Sequence, residues 1–405
     1  MLRLSSTAAT LVLASLVALG PLATDMYLPA LPAMARTLNA APQDVQLTLS
    51  VYMIGIVLAQ LVYGPLADRF GRKPLLLVGL LIFTLASLGC ALARSIEAMI
   101  VLRFLQALGG SAGPVLARAA VRDVHGPLGA ARILSYLGAA TALAPALGPI
   151  GGGYLLVAFG WPSVFIFLAG YGLAATALLY FALPEPLPPT LRQSMHPLAI
   201  ARNYRLLLRH RVYVGYVLTC AFTFAGLFAF LSGASFVLIG FFGVAEQHFG
   251  YYFTLAVGGY LSGTMFAGQL SHRLGINRLL LIGCVIATLG GTLMAALALA
   301  QVFTVLAVML PMMLYMMGVG IVLPQSLAGA IGPFPQMAGS ASALLGVVQM
   351  SVAAAAGVAV GHLHSGTPLA MAATIALMGA AGLVSFFALV WMPGRVARVC
   401  EANDG

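Results

Sequence analysis

From residue 8 to residue 392 the chain reads as a succession of apolar stretches, each about as long as a bilayer is thick, joined by short connections. A helix needs about 20 apolar residues to cross a hydrocarbon core. Helices and closed barrels are the structures that satisfy every backbone polar group in that medium. The stretches predict helices at 8–31, 45–66, 75–94, 98–118, 131–158, 163–183, 212–240, 250–271, 279–299, 303–327, 338–361 and 368–392. The residue balance agrees: 61% are hydrophobic and 7% charged, where a soluble domain has about a quarter charged. No long hydrophilic run leaves room for a sizeable soluble domain. The expectation is an all-α membrane protein with twelve transmembrane helices.

The net charge of +10 would suggest nucleic acid in a soluble protein. In a membrane protein it reports orientation, because Lys and Arg accumulate in cytoplasmic loops. Arg69, Arg72 and Lys73, then Arg118, Arg122 and Arg132, then Arg192, Arg202, Arg205, Arg209 and Arg211, then Arg273 and Arg278 all fall in even-numbered connections. Arg395 and Arg398 follow the last helix, and the opposite side holds only Arg36 and Arg94. Both termini are therefore expected in the cytoplasm, with no nucleic-acid partner. Cys90, Cys220, Cys284 and Cys400 are isolated in sequence, so neither a disulfide nor a metal site is expected. His362 and His364 flank a loop with nothing to complete a metal set. The first apolar run continues past the length of a signal peptide, and no cleavage is expected.

The long polar connection runs from Leu183 to Arg211, Pro-rich at its start and basic at its end. The start is stiff; the end reads as a short amphipathic helix at the membrane surface. It divides the chain into a six-helix bundle at 1–183, a cytoplasmic linker at 184–211, a second six-helix bundle at 212–393 and a cytoplasmic tail at 394–405. The halves carry a repeat. Gly64-Pro65-Leu66-Ala67-Asp68-Arg69-Phe70-Gly71 follows the second helix, and Gly268-Gln269-Leu270-Ser271-His272-Arg273-Leu274-Gly275 follows the eighth. Both read G-x-L-x-x-R-x-G. Paired halves with a substrate site between them near the midplane are the plan of many secondary transporters.

Two charges lie inside apolar stretches. Asp25 sits within Leu11–Pro32 and Arg103 within the fourth helix. Intramembrane ionisable groups are costly and mark ion pathways. At a rise of 1.5 Å per residue, Arg103 lies about 9 Å from the outer end of its helix and Asp25 about 24 Å from the inner end of its own. In a core of about 30 Å these depths allow the two to meet. Burial favours a protonated carboxyl and a nearby guanidinium favours the carboxylate, so a gated cavity that alternates between these surroundings takes up and releases a proton at Asp25. The alternatives are an interfacial Asp25 and a structural Arg103 bonded to backbone carbonyls. Gln106 shares a face with Arg103.

Around these charges the motifs resemble a known family. Gly64 to Pro74 is similar to the loop between helices two and three of the major facilitator superfamily. Asp25 to Pro32, Gln46 to Ser50 and Arg103 to Gln106 resemble the Bcr/CflA group of drug–proton antiporters; Phe249 to Phe253 and Met337 to Ser342 are similar to its bicyclomycin-resistance branch. The resemblance implies that Asp25 and Arg103 couple transport to protons. It implies that Gly64, Asp68, Arg69, Gly71, Arg72 and Lys73 form a gating loop whose charge network holds one state and breaks in the other. Ala144 to Gly152, with Pro145, Gly148, Pro149, Gly151 and Gly152, resembles the fifth-helix motif of antiporters. Physically it is a kink at proline among small residues that allow close helix packing. A related exporter has a second acid where this chain has Val17, which leaves one carboxylate here.

Tyr27, Tyr52, Gln60 and Gln106 are the expected polar lining of the substrate cavity. The stripe Met309, Met312, Met313 and Met316 shares a helical face, and it reads either as a pliant pocket wall or as core. The leading expectation is an inner-membrane, proton-driven exporter of small apolar antibiotics, acting as a monomer, with no cofactor beyond the proton gradient. The alternative is a carrier for a small metabolite. An enzyme is disfavoured: Ser111 has no intramembrane histidine at a depth to activate it, and no GxxxxGK[ST] loop serves a nucleotide-driven pump.

Overall fold

The computed structural model describes residues 7–182, 184–185, 197–363 and 366–392. Arg192, His364, Arg395, Arg398, Cys400 and the tail at 394–405 lie outside the described residues, as do the side chains of Asp68, Arg122 and Arg132.

Every regular element among the described residues is helical. The helices are α1 (Thr7–Asp25), α2 (Leu31–Thr37), α3 (Pro42–Phe70), α4 (Arg72–Leu92), α5 (Ile96–Gly110), α6 (Ala112–Phe159) and α7 (Pro162–Ala182), then α8 (Pro197–Arg209), α9 (Arg211–Ser235), α10 (Phe249–Leu299), α11 (Val305–Ile331), α12 (Ala338–His362) and α13 (Leu369–Phe386). Among the described residues, 10 are long and apolar enough to cross a membrane, one of them the 54-residue stretch Glu246–Leu299, with a shorter apolar helix at Leu143–Phe159. Fifty-four residues exceed twice what one crossing needs. Local signals set several starts. Ser95 caps α5 by accepting from the Ala98 N–H at 3.3 Å, and Thr304 caps α11 by accepting from Ala307 at 3.2 Å.

The first predicted helix, 8–31, is not continuous. Helix α1 ends at Asp25, a 3₁₀ turn follows at Leu28–Ala30, and α2 starts again at Leu31. Pro29 and Pro32 explain the break, since proline lacks the N–H and crowds the preceding turn. The fourth predicted helix, 98–118, falls inside the span Ile96–Val121, and the fifth, 131–158, is redrawn. One residue, Ser111 (φ −70°, ψ −18°), separates α5 from α6, and α6 then runs through the segment expected to be a loop, across Gly126 and Pro127.

The repeat has a matching backbone signature. Gly71, between α3 and α4, has φ 99° and ψ 163°; Gly275, inside α10, has φ 71° and ψ 167°. Both conformations are open essentially to glycine alone, so the last glycine of each G-x-L-x-x-R-x-G copy makes the same sharp turn.

The chain divides into two compact units. One is Met1–Met195 with Gly243–Thr254; the other is His196–Phe242 with Leu255–Gly405. In the first, α1 packs along α6, and α4 along α5 and α7. Arg36 and Glu246 form an ion pair there at 3.2 Å. In the second, α9 is central and packs on α11, α12 and α13. Its core includes Tyr213, Tyr216, Cys220, Leu280 and Phe386, and the buried Tyr315 hydroxyl donates to the Thr223 carbonyl at 2.9 Å. Met309, Met312 and Met316 are buried in this unit and Met313 is 41% exposed.

Candidate functional site

The break at Asp25 leaves the last carbonyls of α1 without helical partners, in the middle of a span that runs Thr10–Thr37. Arg103 of α5 answers that need: its Nη1 donates to the Ala23 carbonyl at 3.0 Å. A cation at a helix C-terminus is favourable by about 0.3–1 kcal/mol at the surface and up to about 2 when partly buried. Arg103 is fully buried. Its guanidinium carbon lies 4.0 Å from the Tyr27 ring centroid, 4.3 Å from that of Tyr52 and 5.9 Å from that of Phe165. Desolvated cation–π contacts of this kind are each worth about 2 kcal/mol, so the ring cage substitutes for water around a charge that would otherwise be very costly to bury.

A polar chain extends from the guanidinium. Arg103 Nη1 also donates to Gln106 Oε1, Gln106 Nε2 donates to Ser87 Oγ at 2.7 Å, and Ser87 donates to the Phe83 carbonyl at 2.7 Å. Thr48 spends its proton on the Val45 carbonyl at 2.6 Å, which makes the Tyr27 hydroxyl the donor to Thr48 at 3.2 Å. Asp25 itself is 4% exposed. It does not pair with Arg103; the guanidinium is committed to the rings, to Gln106 and to the backbone two residues before the acid.

Helix α6 forms the other wall. A Cβ added at Gly152 would lie 1.7 Å from the Met26 carbonyl oxygen, one at Gly148 would lie 3.6 Å from the Asp25 Cβ, and one at Gly151 3.7 Å from Met26 Cε. The Pro145–Gly152 segment is thus seated on the break that carries the acid.

Several buried polar atoms here have no hydrogen-bond partner among the described residues: Arg103 Nε and Nη2, both side-chain polar atoms of Gln46, and Ser50 Oγ. Each such group left unsatisfied costs about 1–3 kcal/mol.

The structure brings together Asp25, Tyr27, Tyr52, Arg103 and Gln106, with Gly148 and Gly152 against them. Gln60 is half-buried on α3, eight residues, or about 12 Å, beyond Tyr52, and is not part of the cluster. Ser87 and Phe165 belong to it and carry no sequence motif; only their contacts reveal them.

The loop at Gly64–Lys73 is a separate construction. Gly64 has open space around it and Arg69 is exposed, its guanidinium 5.2 Å from the Phe70 ring centroid. Past the Gly71 turn, the Arg72 and Lys73 N–H groups at the start of α4 donate to the two oxygens of Glu185 at 2.8 and 3.0 Å. Lys73 Nζ in return donates to the Tyr180 carbonyl at 2.9 Å, near the end of α7. An acid caps the N-terminus of α4 and a base caps the C-terminus of α7, each matching the helix dipole. Glu185 was not singled out in sequence. Its signal was a lone acid among prolines just after the sixth helix.

A broken helix with a buried carboxylate, capped by an arginine from a neighbouring helix in an all-helical two-unit membrane fold, defines a transporter architecture. The chain belongs to the major facilitator superfamily: the family model "Major Facilitator Superfamily" matches residues 13–358. The chain is 32% identical over 386 residues to a bicyclomycin resistance protein homolog of Haemophilus influenzae, covering 93% of this chain and 94% of that protein. It is 33% identical over 349 residues to a chloramphenicol resistance protein of Pseudomonas aeruginosa, covering 84% and 81%. The crystal structure of a D-xylose–proton symporter superposes with a TM-score of 0.76 over 95% of this chain and 97% of that one, at 16% identity. That last likeness concerns the fold alone.

Proposed function

We propose that this chain is a proton-coupled exporter of small, largely apolar antibiotics of the bicyclomycin or phenicol type, in a bacterial inner membrane. It crosses the bilayer twelve times with both termini in the cytoplasm, works as a monomer, and draws on the proton gradient without a cofactor. The observation that carries the reading is Asp25, a 4% exposed carboxyl at the end of a helix interrupted within the membrane. Interrupted helices place ion and substrate groups at membrane depth in secondary transporters. Drug and proton exclude one another at this carboxyl, which is the minimum that exchange needs. The names of the relatives, for bicyclomycin and chloramphenicol resistance, support the substrate class.

The gate in this reading is the Gly64–Lys73 loop. The Glu185 and Lys73 caps hold α4 and α7 together as one body, so that the loop charges, Asp68 included, make and break contacts without loosening the helices behind them.

Cells expressing the chain, challenged with bicyclomycin, phenicols, sulfonamides and tetracyclines, test the substrate class. The expectation is resistance to the first two that disappears with a protonophore. Unchanged susceptibility to all four, alongside uptake of a small metabolite, would favour the metabolite carrier instead.

A further inference from the structure

Helix α8 carries a basic face that no acid among the described residues of its own unit neutralises. At about 100° per residue, Arg202, Arg205, Leu206 and Arg209 fall within about 100° of arc, with Leu208 beside them. All five are exposed, Leu206 at 51% and Leu208 at 56%. The opposite face is fixed to the second unit. Leu207 is fully buried, Tyr204 packs on the core around Tyr213 and Tyr216, and Asn203 Nδ2 meets Ser340 Oγ at 3.5 Å. The helix is thus a docked element with a chosen outer side.

Its height is set as well. One residue, His210, separates α8 from α9, with an extended backbone (φ −87°, ψ 103°) and its ring nitrogen capping Tyr213. Helix α9 opens a span at Arg211, so α8 lies where that crossing meets the water interface.

Among the described residues of this unit the charges have no internal counterpart. No Asp or Glu occurs between Glu185 and Glu246, nor between Leu255 and Met392. The three arginines make no ion pair among the described residues. Three guanidinium groups with the exposed Leu206 in the same arc, held at interface height, match an anionic headgroup and the acyl boundary beside it.

We propose that the outer face of α8 binds anionic phospholipid headgroups. This rests on the membrane topology proposed above, though not on the drug chemistry. The arginines take the phosphates, and Leu206, within their arc, reaches the acyl boundary.

The test uses the full chain with Leu206→Trp in nanodiscs, corrected for the parent's own tryptophans. Energy transfer from the new tryptophan is read to a trace acceptor lipid, either phosphatidylglycerol or phosphatidylcholine. The expected result is an excess of phosphatidylglycerol of about threefold or more at low salt, abolished by Arg202→Gln/Arg205→Gln/Arg209→Gln and reduced by salt. Equal transfer to the two lipids would overturn the proposal, as would an excess that survives the triple substitution. Drug-dependent proton release by the same discs is scored separately. Lipid selectivity without it removes the exporter reading and keeps this one; release without selectivity does the reverse.

Discussion

Gly152 and Gly151 are neighbours in sequence and opposites in tolerance. A methyl at 152 lands on the Met26 carbonyl, whereas one at 151 meets Met26 Cε at van der Waals distance. Gly152→Ala should therefore lower thermal stability by several degrees or cut transport severely, and Gly151→Ala should do neither. Melting of purified protein together with a flux assay checks both. Arg103 makes a different kind of demand. Its planar group stacks between Tyr27 and Tyr52 while capping Ala23, and lysine provides neither the plane nor the fork. Arg103→Lys should reduce transport by about tenfold or more even where the protein reaches the membrane in normal amount. Near-normal flux would show that a point charge suffices. The sequence made Asp25 and Arg103 visible, because charges in apolar runs are rare. It did not disclose that the two stay unpaired, because the rings that hold Arg103 come from the break after α1, from α3 and from α7, and only packing assembles them.

At the scale of elements, the reciprocal caps between α4 and α7 join residues more than one hundred positions apart. Glu185→Gln keeps the shape and weakens the charge-assisted bonds to the start of α4, at a cost of about 1 kcal/mol. The expected outcome is slower turnover with drug affinity unchanged, and Asp68→Ala should show the same pattern. Equilibrium drug binding beside initial transport rates separates the effects; a loss of affinity at normal turnover would place either residue in the binding site. Helix positions were largely legible from apolar length, and the paired Gly71 and Gly275 turns from the repeat. Two boundaries were not. Pro29 and Pro32 were in plain view, but apolar content alone carried the first helix across them. The connection at 119–130 looked like a loop because of its charges, Arg122 and Asp123, and its breakers, Gly126, Pro127 and Gly129, yet helix α6 runs through it. Glu185 escaped notice because its partners at the start of α4 lie more than one hundred residues away, and a lone acid among prolines does not say what it caps.

For the whole molecule, the positive-inside bias predicts the topology directly. A fluorescent protein that folds in the cytoplasm should light up when fused to either end, and a phosphatase that needs the far side should stay inactive at both. Activity of the phosphatase at either terminus would contradict the cytoplasmic placement of that end, and activity at one terminus alone would contradict twelve crossings. The all-helical membrane architecture was readable from apolar length and from the two-half repeat, since the membrane constrains a chain more tightly than water does; the orientation rests on charge distribution and awaits these fusions. Substrate choice was less readable, because a shared fold serves sugars and drugs alike.

The central claim is that one carboxyl carries the exchanged proton. Proteoliposomes with a pH-sensitive dye inside, given a transported phenicol or bicyclomycin, measure it most directly. The wild-type chain should move protons when drug is added, and Asp25→Asn, folded and monodisperse, should move none. Undiminished proton movement in Asp25→Asn would mean that the proton travels by another group.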